Sequence, residues 1–272
     1  DTFDEIERIE SLLSRHRAGT PVWRLNETGV LRAPPPEVLD VVQKGLDYSA
    51  LTAGAFDMTI APLLNLYNSS FSETGGAPPR EQIQRALVLV GSERIQVGPG
   101  EIAFEKAGMA VTLDGIAKGY IVDRAVEVLR RRGAERVLVN AGGDMASAGE
   151  ALGGDAWRIG LQDPRVPDGN LGVVQLQGES VATSGDYVQY LTPDMSLHHI
   201  IDPRTGSSPG HTSGVSVVAP SAMAADALST AALVLGPRDG MELLDRLEGI
   251  EGMIVTKDQA VLRSRGLDQY TA

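Results

Sequence analysis

The sequence predicts an α+β fold. Three observations carry that expectation. Apolar residues recur at helical spacing in several long segments. Short runs rich in Val, Ile and Thr crowd the second half of the chain. Helices and strands interleave without the regular β–α alternation of a doubly wound sheet.

Residues 3–16 form the first element. Phe3, Ile6, Ile9, Leu12 and Leu13 fall on one helical face with acids between them, and His16 lies just past the stripe. Pro34-Pro35-Pro36 opens a second helix, from about Glu37 to Thr52. Gly54-Ala55-Phe56-Asp57 follows, then an apolar run through Leu66. Residues 68–80, rich in Ser, Gly and Pro, read as an exposed loop. Residues 81–90 read as a helix. Strands are expected around Ile95–Val97, Ile102–Phe104 and Val111–Leu113.

The last of these runs directly into Asp114-Gly115-Ile116-Ala117-Lys118-Gly119-Tyr120 and a helix over 119–132. Its Ile121, Val122, Ala125, Val128 and Leu129 face inward, Arg130–Arg132 complement the helix dipole, and Gly133 caps the end. Val137–Asn140 is a buried strand ending in Ala141-Gly142-Gly143-Asp144. Strands follow at 157–161, 173–176, 180–183 and 215–219. Helices occupy 222–235 and 238–247, and the final strands lie near 253–256 and 260–263.

The 272 residues suit one domain, or two closely joined lobes, with a real core. The net charge of −12 excludes general nucleic-acid binding, and 4% aromatics leave no stacking platform for single strands. An anionic ligand must therefore be held by local groups or a bridging cation. There is no cysteine, so disulfides, thiolate zinc sites and a cysteine nucleophile are out, and export is compatible. No apolar run approaches the ~20 residues of a membrane helix. The chain starts at Asp1 without a signal-like segment and reads as a processed product.

Four segments carry candidate chemistry. His198-His199-Ile200-Ile201-Asp202-Pro203-Arg204-Thr205-Gly206 puts imidazole, carboxylate and guanidinium on a stiff corner. It reads either as a phosphate-ligand site or as an ordinary turn with satisfied histidines. At Asp114–Tyr120 a strand meets a helix N-terminus, whose N–H groups and Lys118 suit a phosphate, though the spacing is neither Walker A nor G-x-G-x-x-G. Thr183-Ser184-Gly185-Asp186-Tyr187 offers hydroxyls without a nucleophile elbow, so structural or ligand-bonding roles are expected there. Asp226 and Thr230 are one helical turn apart, a carboxylate and a hydroxyl suited to Mg²⁺, or else a solvated pair bonding back to the helix. Asp144, after two glycines, reads as a turn residue more than a catalytic one.

Together these pieces resemble the ApbE-like family, the FAD:protein FMN transferases. Gly54–Asp57, Leu113–Tyr120, Asn140–Asp144, Thr183–Tyr187, His199–Gly206 and Ala225–Thr230 stand in the family's order along nearly the whole chain. The resemblance implies one two-lobed domain over 1–272 with mixed or antiparallel sheets, flanking helices and an FAD cleft between the lobes. It implies Mg²⁺-dependent transfer of FMN from FAD to a Thr or Ser hydroxyl, leaving AMP. The acceptor would be an exported or membrane-attached redox flavoprotein with a short flavinylation motif, and the location periplasmic or outward-facing. A Mg²⁺-dependent FAD pyrophosphatase and a non-catalytic FAD carrier are the alternatives.

Residue by residue, the resemblance makes Asp226, Thr230 and a carbonyl of the Gly115 turn metal ligands. It makes His16, Ala55, Phe56, Asp57, Thr112, Lys118 and His199 cofactor contacts, and His199 and Asp226 catalytic. Three features depart from the family pattern. Thr112 stands where an aspartate is common, with Asp114 two residues later, which is similar to the branch associated with nitrous-oxide reductase maturation. His16 replaces the usual Tyr or Asn. The family's first strand, with its Met-Gly-Thr start, is absent.

Overall fold

The computed structural model describes residues 1–166 and 168–271. The first half holds α1 (Thr2–Leu13), α2 (Pro21–Thr28), β1 (Val30–Arg32), α3 (Pro36–Leu51), α4 (Ala61–Thr74), α5 (Arg80–Leu87), β2 (Ile95–Gly98) and β3 (Glu101–Phe104). Helix α6 (Ala117–Arg131) leads to β4 (Val137–Ala141), β5 (Asp144–Ala148), β6 (Trp157–Gln162), β7 (Asn170–Leu176), β8 (Ser180–Gly185) and β9 (Thr212–Ala219). Helices α7 (Ala222–Leu235) and α8 (Pro237–Arg246) precede β10 (Glu251–Thr256) and β11 (Val261–Arg263). The architecture is α+β with antiparallel pairing throughout the described ladders, as the sequence predicts.

The main sheet has the order β11-β10-β9-β8-β5-β4. Strand β9 is buried at every position because both of its faces are covered. Its Val215, Val217 and Ala219 join the core beneath α7, while Val218 packs with Ile159, Leu161, Val174 and Leu176 of the β6–β7 ribbon. The two-residue period of a strand divides them. A smaller sheet, β1-β3-β2, sits with the N-terminal helices, whose Ile9, Leu13, Val22, Val38 and Val42 belong to the same core as α7.

Helix α7 is central, with ten of its 14 residues buried. A polar residue there is not a surface residue. Its N-terminus is capped by Ser221 and again by Asp123 of α6, whose carboxylate accepts from Ala222 N at 2.7 Å and Met223 N at 2.9 Å. Gly119 allows this approach. A Cβ there would stand 2.2 Å from the Ala222 carbonyl oxygen.

The structure revises several expectations. Helix α1 stops at Leu13, where Ser14 turns extended. The expected loop at 68–80 is largely helix, because α4 runs on to Thr74. Tyr67 and Phe71 pack against Ile201, and Tyr67 Oη donates to the Gly206 carbonyl at 2.9 Å. Val111–Leu113 is not a strand. The Asn26 side chain takes both backbone groups of Val111, and Thr112 N donates to the Met58 carbonyl, so no ladder is needed. Strand β4 lies at the sheet edge and is only partly buried. The Gly142-Gly143 turn joins β4 to β5, a strand the sequence reading did not include. Both glycines have positive φ, 62° and 102°, as a two-residue hairpin of primed type requires. Helix α2 and strand β1 were also not anticipated.

Candidate active site

A cleft of about 560 Å³ opens between the 54–57 segment, the 112–115 turn, the start of α6, α7 and the loop after β8. All ten residues singled out from the sequence line it: His16, Ala55, Phe56, Asp57, Thr112, Gly115, Lys118, His199, Asp226 and Thr230.

Local bonding explains how each is held. Thr52 Oγ1 accepts from Phe56 N at 3.0 Å, closing the turn through Ala53 and Gly54, both left-handed. The Asp57 carboxylate accepts from Thr59 N, Thr59 Oγ1, Ser92 N and Ser92 Oγ, so it staples this segment to the 91–92 turn. Thr112 Oγ1 accepts from Asp114 N at 3.2 Å, and the Leu113 carbonyl accepts from Ile116 N and Ala117 N, forming the corner that starts α6. A Cβ at Gly115 would lie 3.4 Å from the Phe56 ring and 3.5 Å from Thr230 Oγ1, so these three meet. At the mouth, exposed His16 faces the Asp114 carboxylate at 3.8 Å. Arg15 reaches the same carboxylate at 3.4 Å and Asn65 at 2.9 Å.

The electrostatic centre is Lys118, Asp144 and Asp226. Lys118 Nζ lies 3.2 Å from Asp144 Oδ1. Asp144 is 1% exposed and its Oδ2 has no partner. Asp226 Oδ2 accepts from Gly119 N at 3.1 Å. Burial raises the Asp144 pKa to about 6, against the pull of Lys118. Burial and then the neighbouring Asp144 charge drive Asp226 well above the usual carboxylate range. The pair therefore carries more negative charge than one lysine neutralises and tends to retain a proton. A divalent cation answers the same excess. Carboxylate, hydroxyl and backbone oxygens at Asp226, Thr230 and the Gly115 turn form a hard-oxygen donor set that fits one. Among the described residues no group of three His, Cys, Asp or Glu side chains forms a metal cage, so ligand phosphates and water would complete the shell.

His199 stands on the opposite wall. The Gln189 carbonyl accepts its backbone N–H at 3.0 Å and faces Nδ1 at 2.9 Å. A carbonyl can only accept, so the hydrogen sits on Nδ1 and Nε2 keeps its lone pair. Burial lowers its pKa, against the Gln189 carbonyl, and Lys118 lowers it further, with Asp114 opposing. His199 is thus a neutral base near pH 7. The loop carrying it is braced from below. Buried Asp186 accepts from Arg165 at 2.8 and 2.6 Å and from Lys257, and Lys257 also donates to the Met195 carbonyl at 3.1 Å.

The 198–206 corner divides in two. His198, His199, Ile200, Ile201 and Pro203 face the cleft. Arg204 instead closes on Asp202 at 2.8 and 2.9 Å, and neither lines the cleft, so the carboxylate and guanidinium shape the turn rather than bind phosphate. Sequence reasoning undervalued Asp144 and did not name Arg15. The signal for Asp144 was its two-glycine hairpin, which returns it beside α6. Arg15 adjoins His16 just past the α1 stripe.

The chain has clear relatives. Residues 1–254 match the model of the ApbE family. The FAD:protein FMN transferase of Escherichia coli K12 is 30% identical over 264 residues, covering 93% of this chain and 75% of that protein. The Treponema pallidum protein of the same name is 28% identical, covering 98% and 79%. The crystal structure of the ApbE protein from Thermotoga maritima superposes with a TM-score of 0.92 at 30% identity, covering all of this chain and 90% of that one. The apo flavinyl transferase ApbE of Pseudomonas stutzeri gives 0.86 at 31% identity, covering 99% and 88%. On fold and sequence alike, the chain belongs to the ApbE family.

Proposed function

We propose that this chain is an FAD:protein FMN transferase that moves FMN from FAD to a Ser or Thr hydroxyl of an acceptor flavoprotein and releases AMP. The observation that carries the reading is one cleft joining an acidic, hard-oxygen site at Asp226 and Thr230 with a neutral histidine whose Nε2 is free. In the transfer, the acceptor oxygen bonds to the FMN phosphorus as the bond from that phosphorus to the oxygen bridging to AMP breaks. AMP leaves with that oxygen. His199 takes the hydroxyl proton at Nε2, because Nδ1–H is committed to Gln189. Lys118 puts positive charge beside the diphosphate. Mg²⁺, held by Asp226, Thr230 and the Gly115 turn, would neutralise the diphosphate and orient it for in-line attack. The Ala55–Asp57 segment, Thr112 and His16 complete the FAD-facing wall.

An exported or membrane-attached redox protein is the expected partner, at the outer face of the bacterial membrane. Absence of cysteine accords with that compartment. Among the described residues no helix is long and apolar enough to cross a membrane.

The test incubates the protein with FAD, Mg²⁺ and a flavin-free acceptor domain and reads the acceptor by mass spectrometry. Gain of an FMN phosphoryl adduct, lost on acceptor Thr→Ala, is the expected result. Free FMN without an adduct would replace transfer by hydrolysis, and intact FAD would leave only binding.

A further inference from the structure

Thr230 enters the site through its hydroxyl, and a hydroxyl is both donor and acceptor. Which of these faces the cleft depends on where its single hydrogen goes. Ser229 Oγ donates to the Asp226 carbonyl at 3.0 Å. That spends Ser229's only hydrogen, so the 2.8 Å bond between Ser184 and Ser229 is donated by Ser184. Ser184 is then spent as well, and the 3.1 Å bond between Ser184 and Thr230 is donated by Thr230. The carbonyl at the end of the chain fixes the direction of every bond before it. Ser229 is fully buried, so water does not compete at the end of the chain that sets these directions.

We infer that Ser184 is a positioning residue: through the chain Thr230 → Ser184 → Ser229 → Asp226 carbonyl it holds the Thr230 hydroxyl as an acceptor only, with its lone pairs toward the cleft. Such a group welcomes a cation and repels a phosphate oxygen. It therefore separates the place of the metal from the place of the diphosphate. A free threonine hydroxyl in mid-helix would instead bond back to its own helix. This inference rests on the metal reading proposed above.

The experiment measures binding of Mn²⁺ alone to the full chain by electron paramagnetic resonance, with melting temperatures alongside. Wild type is compared with Asp226→Asn, Ser184→Ala and Ser229→Ala. Asp226→Asn should abolish binding. Both serine variants should weaken it by roughly three- to tenfold, the range of one ordinary hydrogen bond. Ser229→Ala is the decisive variant, because Ser229 does not line the cleft and acts only by freeing the Ser184 hydrogen to reverse the chain. In turnover, both serine variants should raise the Mg²⁺ concentration for half-maximal rate and recover kcat at saturating Mg²⁺. Loss of Mn²⁺ binding in Asp226→Asn with wild-type affinity in either serine variant would overturn the chain and leave the metal site standing. Undiminished binding in Asp226→Asn would overturn the metal reading and this inference with it.

Discussion

Replacing Gly119 by alanine should break the joint that aims Asp226. The added methyl would stand 2.2 Å from the Ala222 carbonyl oxygen, 2.5 Å from its carbon and 2.7 Å from Met223 Cα. All three atoms are backbone, so no side chain can swing away. Restoring van der Waals contact requires α6 and α7 to part by roughly 1 Å. That strains the Gly119 bond to Asp226 at 3.1 Å and the two Asp123 bonds to the α7 N-terminus at 2.7 and 2.9 Å. Overpacking costs about 1–3 kcal/mol and a weakened bond to a carboxylate about 1.5–3 kcal/mol. The helix preference of Ala over Gly returns about 1 kcal/mol. The net loss is roughly 3 kcal/mol, or about 6–12 °C in Tm for a chain of this size. Scanning calorimetry should show that drop for Gly119→Ala and none for Gly210→Ala, where a Cβ meets nothing within 4 Å. A Gly119→Ala protein melting within about 1 °C of wild type would refute the close-approach argument.

Further outcomes follow from the titrating groups. Burial holds His199 below its ordinary 6.5, so its proton-accepting form survives into mild acid. The acidic limb of the transfer rate should then lie below pH 6.5, and His199→Ala should lose transfer yet keep FAD fluorescence quenching; full transfer in that variant removes His199 from the proton's path. Burial pushes His198 to about 4. The unfolded chain takes up this proton near 6.5 and the folded one refuses it. Stability is therefore full above pH 6.5 and falls as pH drops toward 4, by roughly 3 kcal/mol. Urea midpoints at pH 7, 5.5 and 4.5 should fall less steeply in His198→Gln, and equal slopes would contradict this. At Asp186 burial is outweighed by Arg165 and Lys257, which hold its pKa below 3.8. Its stabilisation is present above 3.8 and lost as pH falls through the lower folded value. Asp186→Asn strands two cations and should cost about 3–5 kcal/mol while speeding hydrogen exchange over 187–199; wild-type exchange there would end the bracing argument.

What was legible in the sequence tracks how local its cause is. Helix α7 was readable to the residue because Ser221 caps it and Gly236 ends it. The ten cleft residues were readable through the family resemblance, whose short motifs stand in order along the chain, and the fold brings them together. Val111–Leu113 misread as strand because its backbone is satisfied by the Asn26 side chain, 85 residues away in sequence. Residues 68–74 misread as loop because Ser-rich helix is held by Tyr67 and Phe71 against a distant corner. Asp144 was undervalued for the same reason. Its role depends on Lys118 and Asp226, which only the folded chain sets beside it.

The charge balance of the cleft makes the strongest demand on the proposed function. The chain carries −12 overall, and Asp114, Asp144 and Asp226 outnumber Arg15 and Lys118 at the site. A diphosphate brought there alone meets repulsion, to which the Asp144–Asp226 pair adds fully only when it gives up its retained proton. FAD and a divalent cation must then favour each other's binding, by the same factor in both directions. Asp226→Asn should split by condition. With Mg²⁺ it loses a ligand and binds FAD more weakly than wild type. In EDTA it has lost only a repelling charge and binds FAD more tightly, by a margin that grows as pH rises and the carboxyl pair gives up its proton. Fluorescence titration in the two buffers reads both effects. Weaker FAD binding by Asp226→Asn in EDTA would show that this carboxyl serves the flavin directly, and the division between a cation site and a diphosphate site would fall.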